Sequence, residues 1–270
     1  MASGLYFGMQ GLGDHISSNG LIRTLIRKHK LDEIYVLVWT HYSNQVAYMF
    51  RDDPRIKICS VDNGAEHAQA RAFVEGIKPT HLFWIGHTVT DRYPIHDLVN
   101  GNTLFVQRSF DQLRTDYQDK EYDCHQLYYA AVDVPFKHRF DDFYIGRNFS
   151  EEERIFNKLN PNHEEYIFVH DDAARGFRIP DNVLHHFASS SVKVIRNDVT
   201  ENLLDFSMIV QNARQVHTME SSFRCFVETV PAEETSFFLH HYVRKTEPFV
   251  YNNRIAPGAT KKLWTLLHDN

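Results

Sequence analysis

Short apolar segments alternate with segments of helical spacing through the first part of the chain. The predicted strands are Leu5–Met9, Glu33–Trp39, Ile56–Val61 and His81–Gly86, and the predicted helices between them are Ser17–Lys30, Ser43–Phe50 and Gly64–Gly76. Nearly continuous apolar strands separated by helices are typical of a parallel sheet covered on both faces. The pattern therefore predicts an N-terminal Rossmann-like α/β domain.

A second alternation of the same kind follows a less regular middle. In the middle, Ser109–Gln118 and Asp123–Val132 predict helices, and Pro135–Asn148, rich in charged and aromatic residues, predicts a connection between domains. The later predicted strands are Tyr166–His170, Val192–Ile195, Gln215–Met219 and Ser236–Val243. The first later helix is capped by Ser150 and runs through Leu159. The other predicted helices are Asn202–Ala213, Arg224–Val230 and Lys261–His268. The second half therefore predicts another Rossmann-like domain.

The chain length agrees with two small domains. At 270 residues it exceeds one typical α/β layer. We expect an α/β fold with two Rossmann-like domains facing a cleft, formed by residues 1–134 and 135–255, with residues 256–270 as a terminal helix. Two such domains suit a substrate held at both ends, which favours group transfer.

Composition excludes several other classes of protein. A net charge of −6, from 29 basic and 35 acidic residues, gives no attraction to nucleic acid. The three cysteines are far apart, without zinc or disulfide spacing, which favours a reducing compartment. The chain has no run of about 18 apolar residues, and Met1-Ala2-Ser3 leads straight into a strand, so we expect neither a membrane span nor a signal peptide. The histidines are scattered without metal-site spacing, so we expect no bound metal.

A glycine-rich turn follows the first predicted strand and ends in a carboxylate, Asp14. Gly8, Gly11 and Gly13 have a different spacing from the dinucleotide-binding fingerprint. Ligands of open parallel sheets bind at the carboxyl ends of the strands, so we expect Asp14 at the mouth of a ligand site. A second interpretation is that Asp14 is the N-cap of the following helix.

Two further polar segments follow strands of the second half. In the segment from His217 to Phe223, Ser221 and Ser222 open a helix and could bind a phosphate, and Glu220 could accept hydrogen bonds from ribose hydroxyls. The alternative is that Glu220 or Ser221 only caps that helix. In the segment from His170 to Ile179, Arg175 and Arg178 could clamp a diphosphate, or they could pair with Asp171 and Asp172 at the surface.

These motifs together resemble a known superfamily. The turn Gly11-Leu12-Gly13-Asp14-His15 followed by a helix resembles the start of GT-B glycosyltransferases of the heptosyltransferase kind. The segments Tyr166–Ile179 and His217–Phe223 resemble the donor domain of small sugar transferases, including fucosyltransferase-like ones. The chain is short for this superfamily, and small versions are typical of viruses and of bacterial surface-glycan clusters.

The resemblance implies an inverting, metal-independent glycosyltransferase without a cofactor. It would move a sugar from a nucleoside-diphosphate sugar, bound by the C-terminal half, to a hydroxyl of a glycan acceptor, bound by the N-terminal half. Residues 256–270 would then pack back on the first domain. The expected compartment is the cytoplasm, or the host cytoplasm for a viral protein.

The resemblance also implies roles for individual residues. Asp14 matches the general base, and His15 is the competing base because imidazole titrates near neutrality. The expected donor-binding residues are Gly11, Gly13, His170, Asp172, Arg175, Arg178, Arg196, His217, Glu220, Ser221, Ser222 and Phe223. The expected acceptor-binding residues are His41, His87 and Asp91, for which a loop without a role is the alternative. Phe223 could instead pack under its helix, and Arg196 could simply be exposed.

Two other functions stay open at the level of the sequence. The first is a nucleotide-sugar epimerase or hydrolase on the same scaffold, which would consume the donor without an acceptor. The second is a protein that binds a glycan or a nucleotide and has no catalytic activity. Replacement of Asp14 by Ala distinguishes these functions. A catalytic base is needed for turnover but not for donor binding, so a variant that still binds the donor and has lost turnover supports a base.

Overall fold

The chain forms two compact units, Met1–Gly146 and Arg147–Asn270. A computed structural model describes residues 1–85, 103–106, 124–184, 192–241, 243 and 262–267. The predicted helix Ser109–Gln118 and the acceptor candidates His87 and Asp91 lie outside these residues.

The first unit contains a sheet of five parallel strands in the order β3-β2-β1-β4-β5. The strands are β1 (Ser3–Phe7), β2 (Glu33–Trp39), β3 (Ile56–Val61), β4 (His81–Trp84) and β5 (Leu104–Val106). The helices are α1 (Leu12–Ser17), α2 (Asn19–His29), α3 (Ser43–Met49), α4 (Glu66–Ile77), α5 (Cys124–Ala131) and α6 (His138–Asp141), with a 3-10 turn at Thr40–Tyr42. The four strands predicted here are confirmed, whereas β5 was not predicted.

Apolar side chains of three neighbouring strands form the core on one face of this sheet. Leu5, Leu37 and Leu82 are fully buried there. The rings of Phe7 and Trp84 meet edge to face with their centroids 4.5 Å apart. Each such buried side chain stabilises the fold by about 1.5–3 kcal/mol relative to exposure, so this face holds β1, β2 and β4 in register.

The segment predicted as a connection between domains is in large part packed on the first unit. Its helix α6 lies against α2 at Gly20, where an added Cβ would come within 2.0 Å of the carbonyl oxygen of His138. Asn19 Nδ2 donates to the carbonyl oxygen of Tyr144 at 3.1 Å, and Arg23 Nη2 donates to the same oxygen at 2.9 Å. Pro135–Asn148 is therefore not a free linker, because residues up to Gly146 belong to the first unit.

The second unit also contains a sheet of five parallel strands, in the order β10-β9-β8-β6-β7. The strands are β6 (Tyr166–Val169), β7 (Lys193–Arg196), β8 (Gln215–Thr218), β9 (Ser236–His240) and β10 (Trp264–Leu267). The helices are α7 (Phe149–Leu159), α8 (Asp181–Leu184), α9 (Ser207–Asn212) and α10 (Ser222–Val227), with 3-10 turns at Ala173–Arg175 and Leu203–Asp205. The prediction of a second Rossmann-like domain is confirmed.

The terminal helix predicted over Lys261–His268 is wrong. In its described part the chain is strand β10, which pairs with β9 in parallel from Trp264 opposite Phe237 to Leu267 opposite His240. The indole nitrogen of Trp264 donates to Glu228 Oε1 at 2.7 Å. This segment therefore completes the sheet of the second unit, because backbone hydrogen bonds to β9 stabilise the extended form.

Two other local predictions need correction. The N-cap of α7 is Asn148 rather than Ser150, and its side chain accepts a hydrogen bond from the backbone nitrogen of Glu151 at 3.4 Å. Single helices predicted over Ser17–Lys30 and Asn202–Ala213 are each interrupted, the first near Ser18 and the second near Phe206.

In the described part of the chain, no helix has the length and apolar character that a bilayer crossing requires.

Each sheet has a point at which the strand order reverses. In the first unit this point lies between β1 and β4, and in the second it lies between β6 and β8. Adjacent loops leave in opposite directions there, so a crevice opens at the carboxyl ends of the strands, and ligands of open α/β sheets bind in it. The polar segments after β1, β6 and β8 are therefore the candidate ligand-binding loops.

Candidate functional site

Asp14 lies in the first turn of α1, directly after the loop that leaves β1. The N-cap of this helix is Gly11, with φ −70° and ψ 148°, and no side chain accepts a hydrogen bond as a cap. The interpretation of Asp14 as the N-cap is therefore wrong. Its carboxylate is available for other contacts.

Two side chains from α5 contact one oxygen of Asp14. Tyr128 Oη donates to Oδ1 at 2.8 Å, and His125 Nε2 lies 3.6 Å from the same oxygen. The Asp14 side chain is 23% exposed. His125 and Tyr128 were not predicted as site residues, although their spacing of three on a predicted helix places them on one face.

These neighbours determine the charge of Asp14. Burial by itself would raise the pKa of the Asp14 carboxyl, but the hydrogen bonds from His125 and Tyr128 and the charges of His125 and His15 lower it further than burial raises it. The net effect is a pKa below the usual value for aspartate. Asp14 is therefore ionised at neutral pH and can accept a proton.

His15 is in a different environment from Asp14. Its side chain is fully buried, and burial lowers the pKa of its imidazole to about 4, although the charge of Asp14 opposes this. Among the described residues, neither ring nitrogen has a hydrogen-bond partner. The ring is therefore neutral at physiological pH and is shielded from solvent.

The remaining described candidates of the first unit lie around the same edge of the sheet. Gly13 precedes Asp14 within α1. His41 is exposed on the 3-10 turn after β2, the strand next to β1, and its ring stacks on Trp39 with centroids 5.5 Å apart. Both candidates therefore follow neighbouring strands at their carboxyl ends.

In the second unit, Asp171 and Arg196 hold the loop that follows β6. Asp171 Oδ1 accepts a hydrogen bond from the backbone nitrogen of Ile179 at 2.8 Å, and its Oδ2 pairs with Arg196. Arg196 also donates to the carbonyl oxygen of Ile179 at 2.9 Å and pairs with Asp181. Arg196, a predicted donor-binding residue, therefore anchors this loop in the structure.

The other two arginines of this loop are exposed and make ion pairs with nearby acids. Arg175 Nη1 lies 3.4 Å from Asp172 Oδ2, and Arg178 Nη2 lies 3.3 Å from Asp181 Oδ2. The side chains of Arg175 and Arg178 are 47% and 64% exposed. The sequence left open whether these arginines pair with the nearby acids, and in this structure they do. The pair of Arg178 with Asp181 is exposed on both sides and contributes only about 0–1 kcal/mol, so an anion could replace that carboxylate at little cost.

The segment after β8 brings Glu220, Ser221 and Ser222 to the neighbouring strand end. Glu220 is buried, and its Oε1 lies 4.0 Å from Nε of the fully buried Arg224. Ser221 is the N-cap of α10, but its side chain makes no capping hydrogen bond. Ser221 and Ser222 are half-buried. Ser221 therefore stands at the N-cap position, as the alternative has it, but without a capping hydrogen bond from its side chain, and both serines follow β8, the strand next to β6.

Phe223 is a packing residue. It is fully buried, and the His170 ring stacks on it in parallel with centroids 4.0 Å apart. Phe168 and Phe206 also contact it, with centroids 5.7 and 6.4 Å away. Burial lowers the pKa of His170 to about 3, so this ring is neutral. The packing role considered for Phe223 is the one that the structure has.

His217 lies inside the sheet rather than in the loop that follows it. It is fully buried, its Nδ1 is 3.0 Å from His240 Nε2, and its ring stacks on Phe238 with centroids 4.5 Å apart. Burial, with a smaller effect of His240, lowers the pKa of His217 to about 3.

In the described part of the chain, no group of three or more His, Cys, Asp or Glu side chains could hold a metal ion.

Comparison with known proteins identifies the fold. No family model matches the sequence, and no curated protein matches it. A glycosyl transferase family 9 structure from Veillonella parvula matches with a TM-score of 0.62 and 12% identity, covering 100% of this chain and 88% of that one. The ADP-heptose LPS heptosyltransferase II of E. coli matches with a TM-score of 0.58 and 9% identity, covering 99% and 90%. The chain therefore has the two-domain, Rossmann-like fold of GT-B glycosyltransferases.

Proposed function

We propose that this protein is an inverting glycosyltransferase that works without a metal ion. It moves a sugar from a nucleoside-diphosphate sugar to a hydroxyl group of a glycan acceptor. The observation that carries the proposal is Asp14, an ionised and partly exposed carboxylate at the carboxyl end of β1, beside the reversal point of the sheet. Support also comes from the fold, which the chain shares with glycosyltransferases.

In the proposed reaction, Asp14 is the general base. Its carboxylate takes the proton of the acceptor hydroxyl while that oxygen forms a bond to the anomeric carbon. The bond from this carbon to the diphosphate oxygen breaks, and the nucleoside diphosphate leaves with the electron pair. Attack from the face opposite the leaving group inverts the configuration. His15 is a poor alternative, because it is fully buried and its pKa is lowered to about 4.

The donor in this proposal binds at the loops after β6 and β8. The leaving diphosphate needs positive charge and hydrogen-bond donors. Arg175 and Arg178, which are themselves exposed, would exchange their carboxylate partners for phosphate oxygens, and Ser221 and Ser222 would donate hydroxyl hydrogen bonds. Glu220 would accept from the ribose hydroxyls.

The first experiment is a thermal shift of the purified protein with UDP, GDP, CMP, ADP and dTDP, with EDTA present. ADP has priority because the E. coli neighbour is named for ADP-heptose. A ligand of the native state stabilises it by about 2.7 kcal/mol at a hundredfold excess over Kd, which is readily detected. We expect a clear rise of Tm with one nucleoside diphosphate. The absence of any shift, with EDTA or with added Mg²⁺ or Mn²⁺, contradicts a donor site, and a shift that requires the metal contradicts metal independence.

Variants then separate binding from catalysis. Asp14→Asn is expected to keep the nucleotide-induced shift and to lose turnover, whereas Asp32→Asn, at the other end of the sheet, keeps both. Arg175→Gln and Arg178→Gln are expected to weaken the shift. Arg214→Gln is their matched control. Arg214 also makes an exposed ion pair, with its Nη1 3.3 Å from Glu165 Oε1, but it directly precedes β8 and so lies at the end of the sheet away from the proposed site.

The other outcomes of these assays point to other functions. Full turnover in Asp14→Asn would exclude Asp14 as the base. Donor consumption without an acceptor would indicate a hydrolase or an epimerase. Nucleotide binding without turnover of any donor would indicate a binding protein.

A further inference from the structure

The two oxygens of the Asp14 carboxylate have different surroundings. Tyr128 and His125 both approach Oδ1, at 2.8 and 3.6 Å. Among the described residues, no donor contacts Oδ2. This second oxygen lies against Gly11, where an added Cβ would be 2.6 Å from it. One oxygen is therefore held by α5, and the other faces the glycine loop that leaves β1.

We propose that Tyr128 and His125 are positioning residues that hold Oδ1 of Asp14 and thereby present Oδ2 as the atom that accepts the proton of the acceptor hydroxyl. The proposal rests on the proposed function for its catalytic meaning. Its structural part, the control of the Asp14 carboxylate by α5, can be tested without any substrate.

The helix α5 is well placed for this role because a second contact fixes it against the first helices of the fold. Tyr129 Oη donates to the carbonyl oxygen of Ser17 at 2.9 Å, and the Tyr129 side chain is fully buried. Tyr128, the preceding residue, points its hydroxyl at Asp14 instead. One contact thus attaches α5 to the end of α1, and the neighbouring contact orients the carboxylate.

Four titratable groups on three elements face Asp14. His15 is its neighbour on α1, His125 and Tyr128 come from α5, and Tyr6 comes from β1. Burial raises the pKa of Tyr6, and the charge of Asp14 contributes to this, so Tyr6 stays neutral. His15 is neutral near pH 7 because burial lowers its pKa to about 4. The charge of His15 also lowers the pKa of Asp14, but it acts alike in every variant, so removal of the α5 donors should still change the titration of Asp14.

The test is the titration of the Asp14 carboxyl carbon by NMR in the full chain, with its signal assigned by its absence in Asp14→Asn. In Tyr128→Phe the midpoint is expected to rise by about one pH unit, because a hydrogen bond to the ionised form is lost. His125→Gln is expected to raise it as well. Tyr129→Phe is the matched control, since it removes a buried hydroxyl one residue away that does not touch Asp14, and its midpoint should equal that of the wild type.

The outcomes decide the proposal separately from the proposed function. An unchanged Asp14 midpoint in both Tyr128→Phe and His125→Gln overturns it, and if Tyr128→Phe does not fold, His125→Gln alone decides. An equal rise in Tyr129→Phe also overturns it, because the effect would then be a general loosening of α5. Retention of turnover by Asp14→Asn would refute the proposed function and would leave the titration result intact.

Discussion

Gly11→Ala is the most selective perturbation of the candidate base. The backbone at Gly11 has φ −70° and ψ 148°, a conformation that alanine adopts without strain. The new Cβ would lie 2.6 Å from Asp14 Oδ2, whereas ordinary contacts begin at 3.4 Å, so the carboxylate must retreat by about 0.8 Å. The substitution therefore moves the proposed catalytic atom while the backbone stays as it is.

The expected effect on turnover follows from this displacement. Misplacement of a reacting group by about 1 Å can reduce the rate by about 100-fold, so we expect a loss of turnover of about 10-fold to 100-fold. Stability should change little, because two terms oppose each other. Alanine lowers the entropy of the unfolded chain, which stabilises by about 0.4–1 kcal/mol. Alanine is also a poorer N-cap than glycine, which destabilises by a similar amount.

The assay is release of nucleoside diphosphate from the donor identified by thermal shift, together with the Tm of each variant. Gly76→Ala is the control, because an added Cβ meets no atom within 4 Å there. We expect full turnover from Gly76→Ala and a Tm within about 4 °C of the wild type for Gly11→Ala. Wild-type turnover in Gly11→Ala would refute the assignment of Oδ2 as the proton acceptor. A large fall in its Tm would refute the claim that the effect is local.

Two further predictions concern the stability of the first unit. Gly20→Ala should lower the free energy of unfolding by about 1–3 kcal/mol, because its Cβ would lie 2.0 Å from the His138 carbonyl oxygen. Urea unfolding measures this, with Gly76→Ala as the control. Equal free energies of unfolding for the two variants would contradict the prediction. Burial lowers the pKa of His15 to about 4, so the unfolded state binds more protons between about pH 6.5 and pH 4, and stability falls as the pH falls through this range. From pH 7 to pH 5 the free energy of unfolding should fall by about 2 kcal/mol because of His15. Urea unfolding of His15→Gln should therefore show a weaker pH dependence than that of the wild type. An identical pH dependence would show that His15 titrates normally in the native state.

The alternation of strands and helices could be predicted from the sequence because it is a local property. β1 to β4 and β6 to β9 each contain apolar residues that are visible within a few positions of the sequence, and the predicted segments overlap all eight strands. The two missed strands are β5, of three residues, and β10, of four. Both segments take the extended form through pairing with β4 and β9, and their local sequence does not reveal this pairing.

The same division applies to the candidate site. The position of Asp14 after the first strand follows from the sequence, because the end of a parallel strand and the start of a helix are both encoded locally. The partners of its carboxylate come from residues 125 and 128, more than a hundred positions along the chain, and only the packing of α5 against the first unit brings them to it.

Burial had an equally large effect on the second unit. His217, Arg196 and Phe223 carry the side chains that a donor site needs, and the sequence placed them at strand ends. The tertiary structure places His217 and Phe223 in the core and ties Arg196 to Asp171 and Asp181. The sequence by itself determined which residue types follow each strand. The tertiary structure decided which of them face solvent, because burial and charge depend on neighbours from distant parts of the chain.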